Sequence, residues 1–301
     1  MEEIADGVFI ETAYEGVNVG AILTSDGVIC IDMPSYPRDA RDWTNRVERL
    51  HGRGVRYLVL TDYHGDRILN TRWMSAPIIA HQVVSEKLNA YDRRYPQPLL
   101  DSLIQRNPML GREFTSSPVD QAAVSFSGTM SLRVADRKLS LISRPGPTPG
   151  NIWVSWPVGG ILFTGDSIVT GVHPPLSEMC LHDWIDSLER LEAGTHDAET
   201  IVPGRGEPGD PDAMIATLVS YLWHIAELVD QHIAAGLERQ DLTSRIREIT
   251  RHFESRTPSP VPSLSPARPS SPDWIDLQVA MGLQRAYDEF LLASSEPVVE
   301  N

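Results

Sequence analysis

Residues 55–67, VRYLVLTDYHGDR, constrain the fold more than any other segment. An almost unbroken apolar run reads as a buried strand, and it leads directly into Asp62, His64, Asp66 and Arg67. The end of such a strand is where an open α/β sheet places its ligands. Taken alone, the polar heptad is equally well a loop with capping aspartates. Its neighbours set the context. GVFIET, VGAILTS and GVICIDM near the start are β-rich runs separated by Gly and Asp turns. Residues 38–50 carry Trp43, Val47 and Leu50 at helical spacing, so strand, helix and strand form a βαβ unit.

PIIAH (77–81) predicts a short strand and residues 83–94 a helix. Residues 94–125 are rich in Pro, Ser and polar residues and are expected to be an insertion covering a pocket. A second strand-rich half follows in MSLRVADRKLSLISRPG, NIWVSWP and GGILFTGD. The spacing over 182–194 predicts a helix closed by Gly194, and ETIVPGRG a strand running into a Gly-flanked turn. Residues 214–235 predict a long amphipathic helix and 241–254 a shorter one. Residues 256–272 are a Pro/Ser linker without periodicity, and 274–292 form a last helix whose apolar stripe must pack. Two β-rich halves, each with helices, imply two sheets between helical layers. The expected division is residues 1–210 as the main domain and 211–301 as C-terminal helices packed on it.

Composition narrows the partners. A formal net charge of -15 and a pI near 5.0 argue against nucleic acid or an anionic membrane. No stretch reads as long and apolar enough to cross a membrane, and the N-terminus lacks the basic and apolar regions of a signal peptide. Only two cysteines, Cys30 and Cys180, are present, so a disulfide framework is not expected and a cytoplasmic location fits. The partner expected is a small-molecule ligand or substrate. A homo-oligomer is compatible with the sequence.

Three later segments resemble the polar heptad in design: RPGPTPGN (144–151), LFTGDS (162–167) and VPGRGE (202–207). Each ends a strand in a tight Gly or Pro turn. In this order the four segments resemble the metallo-β-lactamase superfamily, whose motifs read T-H-x-H-x-D-H, P-G-H-T-x-G, T-G-D and P-G-H-G. The resemblance spans roughly residues 5–240 and includes the DWIDSLERL helix. It implies an α/β fold, the αββα sandwich, here with a C-terminal helical extension. It also implies hydrolysis of an ester, thioester, lactone or amide.

The departures concern the metal site. The family's first histidine positions fall on Asp62, His64 and Arg67, of which only His64 is retained. Asp66 and Asp166 match the family's aspartates. Pro147 and Arg205 stand where the family has histidines. A proline side chain has no donor atom, and a guanidinium repels a cation. A dinuclear zinc site is therefore not expected. One divalent ion held by Asp62, His64, Asp66 or Asp166 would be oxygen-rich and would suit Mn, Fe or Mg, with Zn the family's metal. Three carboxylates converging without metal need other counter-charges, and Arg67 and Arg205 are placed to supply them.

Three readings stay open. In the first, the protein is a hydrolase with a reduced metal site, in which Asp66 and His64 are catalytic. In the second, it is a metal-free relative that binds a small anion through Arg67 and Arg205. In the third, the pocket is vestigial. Weaker candidates are His173 and His182 beside Cys180, then His81, Trp223, His224 and His232, each with an ordinary packing or surface role as its default. Residues 207–210 read as a turn.

Overall fold

A computed structural model describes residues 1–92, 94–114, 119–192, 198–209, 211–256 and 272–295. Two sheets lie face to face. The first has seven strands in chain order: β1 (Glu2–Ala5), β2 (Val8–Glu11), β3 (Val19–Thr24), β4 (Gly27–Ile31), β5 (Val55–Val59), β6 (Ile78–His81) and β7 (Val124–Phe126). The first four are antiparallel, and β4 through β7 run parallel. The second sheet has β8 (Thr129–Val134), β9 (Arg137–Ser143), β10 (Ile152–Trp156), β11 (Ile161–Phe163) and β12 (Thr200–Val202). Its β11–β12 pair is parallel and the others antiparallel.

Three apolar clusters fill the three gaps between four layers. Period-two alternation of side chains sorts them. Ile29 and Ile31 of β4 face Ile152 and Val154 of β10 between the sheets. Val28 and Cys30 point the other way, onto helices α1 (Pro37–Glu48), α3 (Gln82–Ala90) and α4 (Gln97–Arg106). Trp153 of β10 and Leu162 of β11 pack against α6 (Leu181–Glu192), α7 (Pro211–Ala234), α8 (Ile246–Arg256) and α9 (Pro272–Ser295). This is the αββα sandwich, and the C-terminal helices belong to its outer layer. Two short helices complete the order: α2 (Gly65–Ile68) and α5 (Pro108–Gly111).

Two expectations are revised. The segment expected to be an insertion covering a pocket contains α4 and α5, and it ends in β7, which pairs with β6. Pro96 and Pro98 suggest a loop, but both stand at the start of α4, where a missing N–H costs nothing. Leu100 and Leu103 then bury one face of that helix. The second correction concerns residues 212–234 of α7, which are long and apolar enough by composition to cross a membrane. In this structure Tyr221, Leu222, Ile225 and Val229 lie in the core with α6, α8 and α9. Gly194 and most of the Pro/Ser linker lie outside the described residues.

Helix α9 is fastened to the loop before α6 by three side chains. Gln278 Oε1 accepts from the backbone N–H of Leu176 (2.8 Å) and Ser177 (3.0 Å). Arg285 Nε donates to the Met179 carbonyl at 2.7 Å. Glu289 accepts from the N–H groups of Leu181 and His182 at 2.9 and 3.0 Å, serving donors that α6 leaves open at its N-terminus. This fastening makes α9 a wall of the cavity described next.

Candidate functional site

The parallel strands β4 and β5 end side by side, and each delivers a carboxylate. After β4 the chain turns at Asp32, a non-glycine residue at φ 57°. Such a conformation costs about 1–3 kcal/mol and persists where neighbours hold it. Here the Asp32 N–H donates to the Val59 carbonyl at 2.9 Å. Its carboxylate accepts from the Thr61 N–H (2.8 Å) and the Thr61 hydroxyl (2.7 Å). After β5, Asp62 Oδ1 accepts from the His64 N–H at 2.8 Å, closing a tight turn. Helix α2 then starts, carrying Asp66 and Arg67.

The second sheet supplies Asp166 after β11 and Arg205 after β12. Their backbones are tied to each other. Gly204 N–H donates to the Gly165 carbonyl at 2.8 Å, and Thr170 N–H to the Arg205 carbonyl at 3.0 Å. Gly204 leaves room for the charges: a Cβ there would lie 2.4 Å from Asp166 Oδ1 and 2.5 Å from Arg67 Nη2. The 144–151 turn is held by Asn151, whose Nδ2 donates to Ser167 Oγ at 2.7 Å. Pro147, buried in that turn, offers no ligand atom.

These turns bring four carboxylates, two guanidiniums and one imidazole together. Arg67 is fully buried and reaches Asp32 through Nη1 and Asp166 through Nη2, with Nε 3.3 Å from Asp62 Oδ1. Arg205 grips Asp166 with two bonds, Nε to Oδ1 at 3.1 Å and Nη2 to Oδ2 at 3.0 Å. Its Nη2 also lies 2.9 Å from Asp66 Oδ2. His64 Nδ1 is 2.9 Å from Asp62 Oδ2 and 3.4 Å from Asp166 Oδ2. Forked pairs of this kind are among the strongest polar contacts in proteins.

The charges perturb one another as the geometry requires. Burial would drive the His64 imidazole down, but Asp62 and Asp166 outweigh it and hold its pKa at about 10. Burial pushes the Asp166 carboxyl up, while Arg205, Arg67 and His64 pull it well below the usual carboxylate range. Asp32 goes the other way: burial raises it more than Arg67 and Thr61 lower it. Both guanidiniums lose to burial and gain more from the carboxylates, Asp166 first, so both stay charged.

Sequence reasoning placed Asp62, His64, Asp66, Arg67, Asp166 and Arg205 in one pocket, and the structure brings them together. It missed Asp32. The available signal was the VICID run ending on an acid beside the strand that ends at Asp62. The expected part of Arg67 in ligand binding needs correction, because it is covered completely and its nitrogens face Asp32, Asp62 and Asp166. The charges of the floor also balance one another. Arg67, Arg205 and a protonated His64 give at most three positive charges. Asp62, Asp66 and Asp166 give three negative ones, and Asp32 a fourth when ionised. With those three ionised, the sum is zero or negative.

Above this floor opens a cavity of about 400 Å³, lined by His64, Asp66 and Arg205 below. Tyr91, Tyr95 and Leu103 form one wall, and Trp274, Gln278 and Met281 of α9 the other. Lys87 and Glu178 at its edge lie 3.6 Å apart and cancel in charge. The His64 side chain is 18% exposed here. Arg205 Nη1 is buried and has no hydrogen-bond partner among the described residues. An unsatisfied buried donor costs about 1–3 kcal/mol, more when charged.

Asp62, His64 and Asp166 each offer one ligand atom within 4.8 Å of the others, so this group could hold one metal ion. The same atoms are already engaged. Both Asp166 oxygens accept from guanidinium groups, and Asp62 Oδ2 faces His64 Nδ1. A second ion finds Arg67 and Arg205 where ligands would be needed. The residues present do not fit a two-metal centre.

The weaker candidates lie elsewhere or are occupied. His173 is caged by Tyr221, Phe253 and Trp274. His182 Nδ1 lies 2.7 Å from Glu289 Oε1. Cys180 borders a neighbouring cavity with Arg285, and burial pushes its thiol up, away from the reactive thiolate. His81 is packed beneath Ser143 (3.2 Å). Trp223 Nε1 donates to Glu189 at 2.8 Å, His224 stacks on His252 at 4.0 Å, and His232 Nε2 lies 2.9 Å from the Glu238 carbonyl.

Comparison with known proteins places the chain in a family. The family model described as metallo-beta-lactamase superfamily matches residues 15–205. A type 2 metallo-beta-lactamase of Pseudomonas aeruginosa is 24% identical over 226 residues, covering 72% of this chain and 82% of that protein. One from Elizabethkingia meningoseptica is 22% identical over 232 residues, covering 72% and 83%. Among solved structures, a metallo-beta-lactamase family protein from Thermus thermophilus superposes with a TM-score of 0.63 at 18% identity. It covers 96% of this chain and 94% of its own, C-terminal helices included. A metallo-beta-lactamase from Pontibacter korlensis gives 0.56 at 18% identity, over 74% of this chain and 97% of that one.

Proposed function

The chain belongs to the metallo-beta-lactamase superfamily, and from that premise we propose that it is a hydrolase-like member whose two-zinc site has been replaced by an internal salt-bridge cluster. Weak, altered or single-metal hydrolysis is the most such a site supports. The observation that carries the reading is Asp166, whose two oxygens are taken by Arg205 and Arg67 where the family would have metal. The arginines do the electrostatic work of the missing cations, because buried carboxylates must be paired or neutralised.

The residues left facing the cavity limit the chemistry. A metal-bound water supplies a strong nucleophile near neutral pH, and without it several kcal/mol of transition-state stabilisation are gone. Asp66 is bonded to Arg205 and keeps fewer lone pairs for orienting water. His64, with Nδ1 held by Asp62, carries its remaining nitrogen toward the cavity as the group able to hold a proton beside a bound molecule. If one ion binds, Asp62, His64 and Asp166 hold it. That oxygen-rich set suits Mn, Fe or Mg better than Zn. A small molecule is the proposed partner. The two free cysteines support a reducing, cytoplasmic location.

Elemental analysis of the purified protein tests the reading. Far less than two equivalents of zinc per chain is expected, with very slow turnover of generic esters and β-lactams. Two tightly held zincs, or rapid chelator-sensitive turnover, would overturn it.

A further inference from the structure

The charge balance of the floor also bears on which small molecule the cavity selects. We propose that its ligand is uncharged, with a carbonyl-type oxygen set on an aromatic or aliphatic body, and that Gln278 of α9 is a specificity-determining residue for it. This rests on the metal-free reading above.

One donor of the cavity wall is left without an acceptor among the described residues. Arg205 lines the floor, but its unpartnered Nη1 is buried away from the open space and its other nitrogens serve Asp166 and Asp66. Gln278 is 7% exposed, and its Oε1 is fixed by the N–H groups of Leu176 and Ser177. That assignment leaves the amide nitrogen as the group Gln278 can offer to the cavity it lines. The wall formed by α9 therefore calls for an acceptor.

The acceptor's charge follows from what lies beneath. A carboxylate would be attracted by Arg205, but Arg205 already answers Asp166 and Asp66. The cluster sum is zero or negative in every protonation state of His64 and Asp32, and Lys87 is cancelled by Glu178. An incoming anion would add an uncompensated charge close to Asp66 and Asp166. A neutral carbonyl satisfies the Gln278 amide without that penalty. Tyr91, Tyr95 and Trp274 flank the space with aromatic surface, and a volume of about 400 Å³ suits a body of one or two rings.

Benzamide and benzoate are nearly isosteric and differ in charge, so they are the probes. Their binding to the full chain is measured by calorimetry or ligand-observed NMR, after chelator treatment and again with added zinc. In the chelated protein, benzamide is expected to bind at least tenfold more tightly than benzoate. Gln278→Glu keeps an oxygen for the Leu176 and Ser177 amides but removes the donor and adds a negative charge. It should weaken benzamide several-fold while the unfolding midpoint holds. Benzoate binding as well as benzamide, no binding of either probe, or indifference to Gln278→Glu would each overturn the proposal. A benzamide preference that appears only with zinc would instead overturn the metal-free reading beneath it.

Discussion

In the cavity floor, His64 lies against Asp62 and Asp166; on the helical side of the molecule, His173 lies against Tyr221, Phe253 and Trp274. Both imidazoles are withdrawn from bulk water, and they are stabilised in opposite states. His64 is held charged, with its pKa at about 10. His173 is held neutral, because burial drives its pKa down to about 3 against a small upward pull from the Pro174 carbonyl. Its Nδ1 is 2.7 Å from that carbonyl, which fixes the N–H there, so Nε2 accepts from the Tyr221 hydroxyl at 2.8 Å. Burial alone does not set the state of a titratable group. Carboxylates within reach make a buried cation tolerable, and aromatic neighbours make it costly.

The floor should therefore break when one charge is removed, and break less when two opposite charges go together. Arg205→Ala leaves Asp166 and Asp66 with one guanidinium fewer in a dry site. A loss of about 3–5 kcal/mol in unfolding free energy is expected. Adding Asp166→Asn to that variant removes an orphaned charge and should restore part of the loss, a non-additivity that a double-mutant cycle in urea measures. Simple addition of the two effects would mean that Arg205 and Asp166 do not stabilise each other. Arg41 of α1 is a poor control for this experiment, because it pairs with Glu113 and lies over the Trp73 ring at 5.0 Å.

Titration separates the two regions by the sign of the slope. The folded pKa of His173 is depressed below the unfolded value near 6.5. Its contribution is complete above about pH 6.5 and is lost as pH falls toward 3, a change of a few kcal/mol. Asp166, also depressed, adds its loss only below its ordinary carboxylate range. His64 is raised, so its contribution is complete below about pH 6.5 and is lost as pH climbs through about 10. His173→Gln, uncharged at every pH, should flatten the decline between pH 6.5 and 4 while leaving the alkaline limb unchanged. An acid limb of the same slope in that variant would show that His173 is not held neutral.

These two regions were not equally legible in the sequence. The floor announced itself because Asp62, His64, Asp66 and Arg67 crowd into one turn after an apolar strand, and Asp166 and Arg205 each follow a strand into a glycine turn. Asp32 did not, because a lone acid after VICID looks the same whether it ends a turn or anchors a guanidinium. The cage was invisible for another reason. His173 meets Tyr221, Phe253 and Trp274 across 48, 80 and 101 residues of chain, and no local pattern encodes contacts so distant. The same holds for α9. Its apolar stripe says that it packs, but not that Gln278 and Trp274 would wall the cavity. Helix α4 was hidden by its own prolines, which read as loop residues until their place at a helix start is known.

The smallest effect expected is the one that shows whether the floor is dry. Arg190 and Asp186 form an exposed pair one turn apart on α6, at 2.8 Å, with side chains 61% and 58% exposed. Arg190→Ala should cost about 0.5 kcal/mol or less, since water already screens both charges. In 1 M NaCl the screening length falls to about 3 Å, and even that small cost should vanish. The Arg205→Ala penalty should survive the same salt, because Arg67, Asp62 and Asp166 expose none of their side-chain surface for ions to reach. The measurement is the difference between each variant and the parent protein in low and high salt. If the Arg205 penalty faded with salt as the Arg190 penalty does, the carboxylates would be answered by solvent ions. The two arginines would then be neighbours of the site without replacing its metal.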